Sequence, residues 1–318
     1  MRSPRATEPL AALAELAQVI GTASGLDELV DSVLGALDGL FGFTHSLLLL
    51  YDDHAGELFT LASHGYDIQG IGSEVSLGVG VIGTAAARRA PMRVGNMRRR
   101  LAYARSVRRS AEEHGVALMP EIPLPGLDDA ESQLAVPMLA GGSLIGVLAV
   151  ETGQPLAQYD DVDEGILIVV GQMAAEAIVA ERALTLDADR DAPGRSPLHA
   201  RTRTPVGQHV KRTRMRYFPG DGSTFLDDAY LIRGVAGHLV WKLASEHLRT
   251  GRTDFTNREV RLDPDLGLPA YRDNFESRLT LLKRRLEERQ APIRILPAGR
   301  GRFRLDVDGR LELDHRLS

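Results

Sequence analysis

Arg278 and Arg285 stand two helical turns apart in YRDNFESRLTLLKRRLEERQ, with Arg272, Lys283 and Arg284 beside them. Phe275, Leu279, Leu282 and Leu286 recur at three- and four-residue intervals, so the segment predicts an amphipathic helix with a leucine stripe opposite a cationic edge. Guanidinium groups on such an edge can take guanine bidentately in a major groove, or meet phosphate without regard to sequence. Further on, Arg300, Arg302 and Arg304 fall in GRGRFRL, a predicted hairpin where they suit phosphate or minor-groove contact. Either feature alone also describes an ordinary solvated surface. Their joint occurrence points to nucleic acid.

Other chemistries lose ground on residue type. The chain has no cysteine, which removes disulfides, thiolate metal sites, cysteine nucleophiles and thioether attachment of a chromophore together. The acid pairs Asp52-Asp53, Asp128-Asp129 and Asp160-Asp161 fall at predicted turns or at a helix start, where water solvates them and nothing perturbs their pKa. His45, His64 and His114 could serve haem or a metal through imidazole, but no His-x-x-x-His or carboxylate spacing accompanies them. Gly-x-Ser-x-Gly, Walker, kinase and GGDEF-type sequences are absent. The expectation is a protein that is not an enzyme, with no catalytic residues, no metal site and no assignable cofactor.

The elements that must position these residues follow from periodicity. Apolar residues at helical spacing predict helices from Leu10 to about Thr22 and from Leu26 to Leu40. HSLLLLYDD and ELFTLASHGY read as an antiparallel strand pair joined at His54-Ala55-Gly56. GVGVIGTAAARRAPMRVGNM is a glycine-rich turn into a short helix, which Pro91 ends before an extended segment. A polar helix is predicted from Arg98 to His114. SQLAVPML and SLIGVLAVET then form a hairpin of central strands, and Tyr159 to Leu186 one long helix with Asp160, Asp161 and Asp163 in its first turn. Residues 187–209, with three prolines and no aromatic residue, have the composition of a basic flexible linker. Beyond it come short strands around a Pro-Gly-Asp-Gly turn, a helix in VAGHLVWKLASEHL, a shorter one near FTNREVRL, the arginine-bearing helix, and two or three closing strands.

At 318 residues two domains are expected. No run of 18 or more apolar residues is present, and no secretory signal is read at the N-terminus, so a cytoplasmic protein without membrane association is expected. Charge is divided unevenly: Arg201 to Ser318 holds 24 Lys+Arg against 16 Asp+Glu, a balance of +8, and the remainder 14 against 27, a balance of -13. The basic part suits an acidic partner.

Residues 10–186 resemble a GAF domain, on the Gly78, Gly80, Gly83 stretch, LAVPML, SLIGVLAVE and the helix after QPLAQYDDVDEGIL. The same glycines alone could suggest a dinucleotide loop, but no βαβ pattern accompanies them. The resemblance implies a ligand pocket over the central sheet, which maps here to His64, Tyr66, Val79, Val81, Ile82, Asn96, Tyr103, His114 and Glu121. Arg98, Arg99 and Arg100 would be at hand for an anionic ligand. Met97 rather than Lys follows Asn96, and no Phe-x-x-x-Asp-Glu comes after it, so the family's cyclic-nucleotide signature is not met. Bilin attachment and methionine sulfoxide reduction within the family need a cysteine.

Residues 210–318 resemble an OmpR-like winged-helix domain, with FESRLTLLKRRLEE in the place of the recognition helix and GRGRFRL in that of the wing. The long RLDPDLGLPAYRDN before that helix is a departure. Together the resemblances imply an α+β protein with three parts: a ligand-sensing domain over residues 1–186, the linker 187–209, and a winged-helix output over 210–318. The implied function is a one-component transcriptional regulator, in which an unidentified small molecule controls binding to duplex DNA. The alternative is a sensory adaptor whose C-terminal domain binds a protein. A homodimer is expected through the first, second and long helices, on Leu13, Leu16, Ile166, Val169 and Met173.

Overall fold

The computed structural model describes residues 9–97, 121–155, 158–191, 212–266 and 275–315. The chain divides into two units, Met1–Glu181 and Arg182–Ser318. Among the described residues no helix is long and apolar enough to cross a membrane.

In the first series of elements, helices α1 (Pro9–Thr22) and α2 (Leu26–Phe41) precede strands β1 (His45–Asp52), β2 (Glu57–His64) and β3 (Glu74–Ser76). Then come α3 (Gly80–Arg88), β4 (Met92–Gly95), β5 (Ser132–Ala140), β6 (Ser143–Thr152) and α4 (Asp161–Asp191). The strands form one antiparallel sheet in the order β3-β2-β1-β6-β5-β4. Its central strands are covered on both faces, so they read as unbroken apolar runs rather than alternations. On one face Leu47, Leu49, Leu58, Ala135, Val147 and Ala149 pack with Ile82, Ala85 and Ala86 of α3. Leu48, Leu148 and Val136 are neighbours in register on the other face, where α4 sets Gly171 against the Val136 side chain.

One irregularity in this sheet bears on the site. β1 and β2 pair Leu49 with Thr60 but Leu48 with Ala62, so Leu61 is an extra residue in β2. Side chains alternate faces along a strand, and a one-residue bulge reverses the alternation beyond it. Ser63 therefore takes the α3 face and His64 the opposite one.

The second unit takes in the end of α4 from Arg182 and continues with β7 (Arg212–Phe218), β8 (Ser223–Leu226) and β9 (Ala229–Ile232), followed by α5 (Gly234–Thr250). After these come β10 (Asp254–Thr256), α6 (Asn257–Arg261), a 3-10 turn at Pro264–Leu266, and α7 (Phe275–Glu288). The strands β11 (Ile293–Pro297), β12 (Arg302–Val307) and β13 (Arg310–His315) close the unit. One sheet has the order β13-β7-β8-β9, with β13 parallel to β7, and the other β10-β12-β11. Leu239, Val240 and Leu243 of α5 are buried with Leu282 and Leu286 of α7 and Ile293, Phe303 and Leu305 of the second sheet. Tyr217 stacks on Trp241 at 4.8 Å between ring centroids. α6 starts in a reciprocal cap: Glu259 N–H donates to the Thr256 hydroxyl, and Thr256 N–H to the Glu259 carboxylate.

Four expectations need correction. α4 runs to Asp191, five residues into the expected linker, because nothing before Pro193 breaks a helix. Leu16 is fully buried where α1 packs on α2, so it offers nothing to a second copy. Arg278 and Arg285, expected on an exposed cationic edge, are only 4% and 6% exposed. The two arginines flank Leu282 at one helical turn on either side, and the buried arc of α7 includes Phe275, Arg278, Leu281, Leu282, Arg285 and Leu286. Leu279, expected in the stripe, is half-buried. Glu276, Lys283 and Glu287 share the more open face with Arg284 beside them.

Candidate functional site

A row of polar residues crosses the α3 face of the first sheet at one end. His45 of β1 pairs in register with Glu151 of β6, and Glu151 with Gln133 of β5. Continuing the alternation of Leu47, Ala149 and Ala135, all three point to the α3 side. Glu151 is only 6% exposed, and Gln133 is buried beside it. The carboxylate is well supplied with donors: Oε2 accepts from the Tyr66 hydroxyl at 3.2 Å and from Leu127 N–H at 3.0 Å. Oε1 accepts from Gln133 Nε2 at 3.0 Å.

Tyr66 reaches this row because of the residue before it. Gly65 has φ +84°, and a Cβ there would stand 2.0 Å from the Thr44 carbonyl oxygen; only glycine allows that approach. The turn sends His64 and Tyr66 to different sides. Tyr66 packs against the apolar floor with its ring edge-on to His45 at 5.3 Å. His64 Nε2 lies 2.9 Å from Asp38 Oδ2 of α2.

Burial pushes the Glu151 carboxyl above its ordinary range, while the Leu127 N–H and Tyr66 hydroxyl draw it back. Tyr66 and Tyr159 are raised well beyond the usual phenol range, by burial first and by the Glu151 charge second. His45 is lowered by burial, against the pull of Asp38 and Asp129. Among the described residues no cation compensates Glu151.

A six-stranded antiparallel sheet with one helix on the site face and two behind it is the frame of this row. The family model described as the GAF domain matches residues 23–179. This part of the chain is a GAF domain. Solved structures similar to it include the GAF domain of a phosphoenolpyruvate-protein phosphotransferase from Coxiella burnetii, 20% identical, with a TM-score of 0.44 over 57% of this chain and 99% of that one. The corresponding domain from Acinetobacter is 20% identical, with a TM-score of 0.43 over 55% and 95%. Free methionine-R-sulfoxide reductase from Neisseria meningitidis in complex with its substrate is 20% identical, with a TM-score of 0.44 over 58% and 96%. No curated protein matches the chain.

Within the GAF domain, Tyr66, Val81 and Ile82 of the expected pocket come together on the α3 face. His64 does not, because the Leu61 bulge turns it to α2. Val79 is exposed ahead of α3; Asn96 is exposed at the end of β4 in a left-handed backbone conformation, and Glu121 is exposed in the chain leading to β5. Tyr103, His114 and Arg98 to Arg100 lie outside the described residues. The glycine motif has a structural task. Gly78 and Gly80 have positive φ, and a Cβ on Gly83 would meet the Ser76 carbonyl at 2.2 Å. Sequence reading missed Glu151 and Gln133; the signal was an acid and an amide at period-two positions of otherwise apolar strands.

A recess of about 530 Å³, open to solvent, is lined by Arg93, Gly95, Ser132 and residues 158–162. Arg93 is already neutralised there by Asp161 at 2.8 Å.

The raised Glu151 pKa has a testable sign. A carboxyl that binds its proton more tightly folded than unfolded makes stability fall as pH rises from the unfolded value, about 4.3, through the folded one. Glu151→Gln removes that titration and keeps an acceptor for Leu127 and Tyr66. Thermal melts should show the variant gaining on the wild type from pH 4 upward. Parallel pH profiles would overturn the assignment.

Proposed function

We propose that the chain is a one-component transcriptional regulator, in which a small molecule taken up beside Glu151 changes the affinity of residues 210–318 for duplex DNA. The observation that carries the reading is the order of elements in the second unit: helix α5, strand β10, helices α6 and α7, then the β11–β12 hairpin, with β10 pairing on β12. This order supports the winged-helix reading, in which α7 takes the place of the recognition helix and the turn at 298–301 the tip of the wing. Arg300 and Arg302 are exposed there. Arg304 is tied to Asp254 at 2.8 Å, bracing the wing on β10. DNA contact falls to Lys283, Arg284, Arg300 and Arg302, since Arg278 and Arg285 are buried; Arg272 lies outside the described residues. The segment His64-Gly65-Tyr66 offers a short path from the site to α2.

In a gel-shift titration of the full chain, binding should weaken steeply with salt. Arg302→Ala should lower affinity for all sequences alike and reduce the salt slope by about one unit. No shift at any salt would favour the adaptor reading. That reading has its own support: Glu287 shares the more open face of α7 with Lys283, which suits a protein partner better than phosphate. A homodimer belongs to the same proposal. Val162, Ile166, Val169 and Met173 recur at four, three and four residues along α4, with Val169 41% exposed.

A further inference from the structure

We propose that the GAF domain takes a small organic amine in its protonated form, with Glu151 as the counter-charge. The inference rests on reading the Glu151 row as the ligand site and goes on to name the class of ligand.

The three groups that donate to Glu151 are a phenol, a primary amide and a backbone N–H. Each supplies a hydrogen bond and none supplies charge. A carboxylate removed from water requires a positive partner or a proton, and neutral donors satisfy only its lone pairs. Among the described residues Oε2 already has two donors, whereas Oε1 accepts from Gln133 alone and keeps a lone pair for another N–H.

The surroundings favour a cation over an anion. His45, next to Glu151 across the β1–β6 pair, is held toward its neutral form by burial, and Asp38 and Asp129 are the acids that act on it. Among the described residues the row therefore carries the Glu151 charge with no cation beside it. The aromatic ring of Tyr66 stands at its edge, and such rings attract ammonium groups. The floor of Leu47, Val147, Ala149 and Ala135 suits the alkyl part of the molecule. An anionic ligand would have to approach a buried carboxylate that no described cation offsets.

The test uses the full chain with three probes of one shape at matched ionic strength: n-butylammonium chloride, sodium butyrate and n-butanol. Butylammonium should raise the melting temperature saturably, by about 3 °C at roughly tenfold its Kd. Glu151→Gln should abolish this response. Tyr66→Phe, which removes one neutral donor and keeps the carboxylate, should retain it, and so guards against a fold defect at position 151. A butylammonium response that persists in Glu151→Gln overturns the amine. So does a saturable response to butyrate or butanol with none to butylammonium, which leaves the site reading in place. Silence from all three probes overturns both.

Discussion

Arg285→Ala should lower the stability of the C-terminal unit by about 3 kcal/mol, the cost of breaking a buried, hydrogen-bonded ion pair. The Arg285 Nε donates to the Leu231 carbonyl at 2.8 Å, and Nη1 to Glu288 Oε2 at 2.6 Å. The side chain thus ties α7 to the end of β9. Its removal takes the Arg285 donor from the Leu231 carbonyl and an ion-pair partner from Glu288, whose side chain is also largely buried. Burial lowers the Arg285 pKa, and Glu288 opposes that shift. Urea denaturation of the full chain, followed by Trp241 fluorescence, measures the loss. Arg302→Ala, on an exposed strand position, should stay within about 0.5 kcal/mol of the wild type. If Arg285→Ala kept its stability and lost DNA affinity, Arg285 would be a contact residue rather than a brace.

Gly65→Ala should cost the GAF domain a similar amount, about 3 kcal/mol, from left-handed strain together with a steric clash. The added methyl would lie 2.0 Å from the Thr44 carbonyl oxygen, which is backbone and cannot rotate aside. Gly141→Ala separates the two contributions, since Gly141 has φ +54° but nothing within 4 Å of its Cβ position. That variant should lose only about 1 to 2 kcal/mol. Circular-dichroism melts compare them. Gly65→Ala should also displace Tyr66 from Glu151 and blunt any ligand response measured on the folded fraction. Equal losses in the two variants would mean that the Thr44 approach is not tight.

The regular elements of both units were legible because they depend on local pattern. HSLLLLYD and SLIGVLAVET announce strands covered on both faces, and the glycines at 78, 80 and 83 announce a tight turn into a helix. In FTNREV the threonine and glutamate three residues apart are enough to start α6. Periodicity says which residues share a face while the period holds. It does not say where the period breaks.

The site needed the tertiary structure for that reason. Strict alternation from Leu58 carries His64 onto the α3 face; the bulge at Leu61, set by how β2 must pair with β1, moves it to α2. Glu151 looks like the polar end of an apolar strand until β1 and β5 bring His45 and Gln133 alongside and Tyr66 folds over it. On α7 the spacing of Arg278 and Arg285 specifies a helical edge. Whether that edge meets solvent or protein depends on how wide an arc the neighbouring elements cover, and here the covered arc takes in both arginines. Composition and spacing by themselves determined most of the described helices and strands, the absence of thiol chemistry and the basic C-terminal part. Which polar side chains are desolvated, and so which can bind rather than merely dissolve, was decided by packing between segments far apart in the chain.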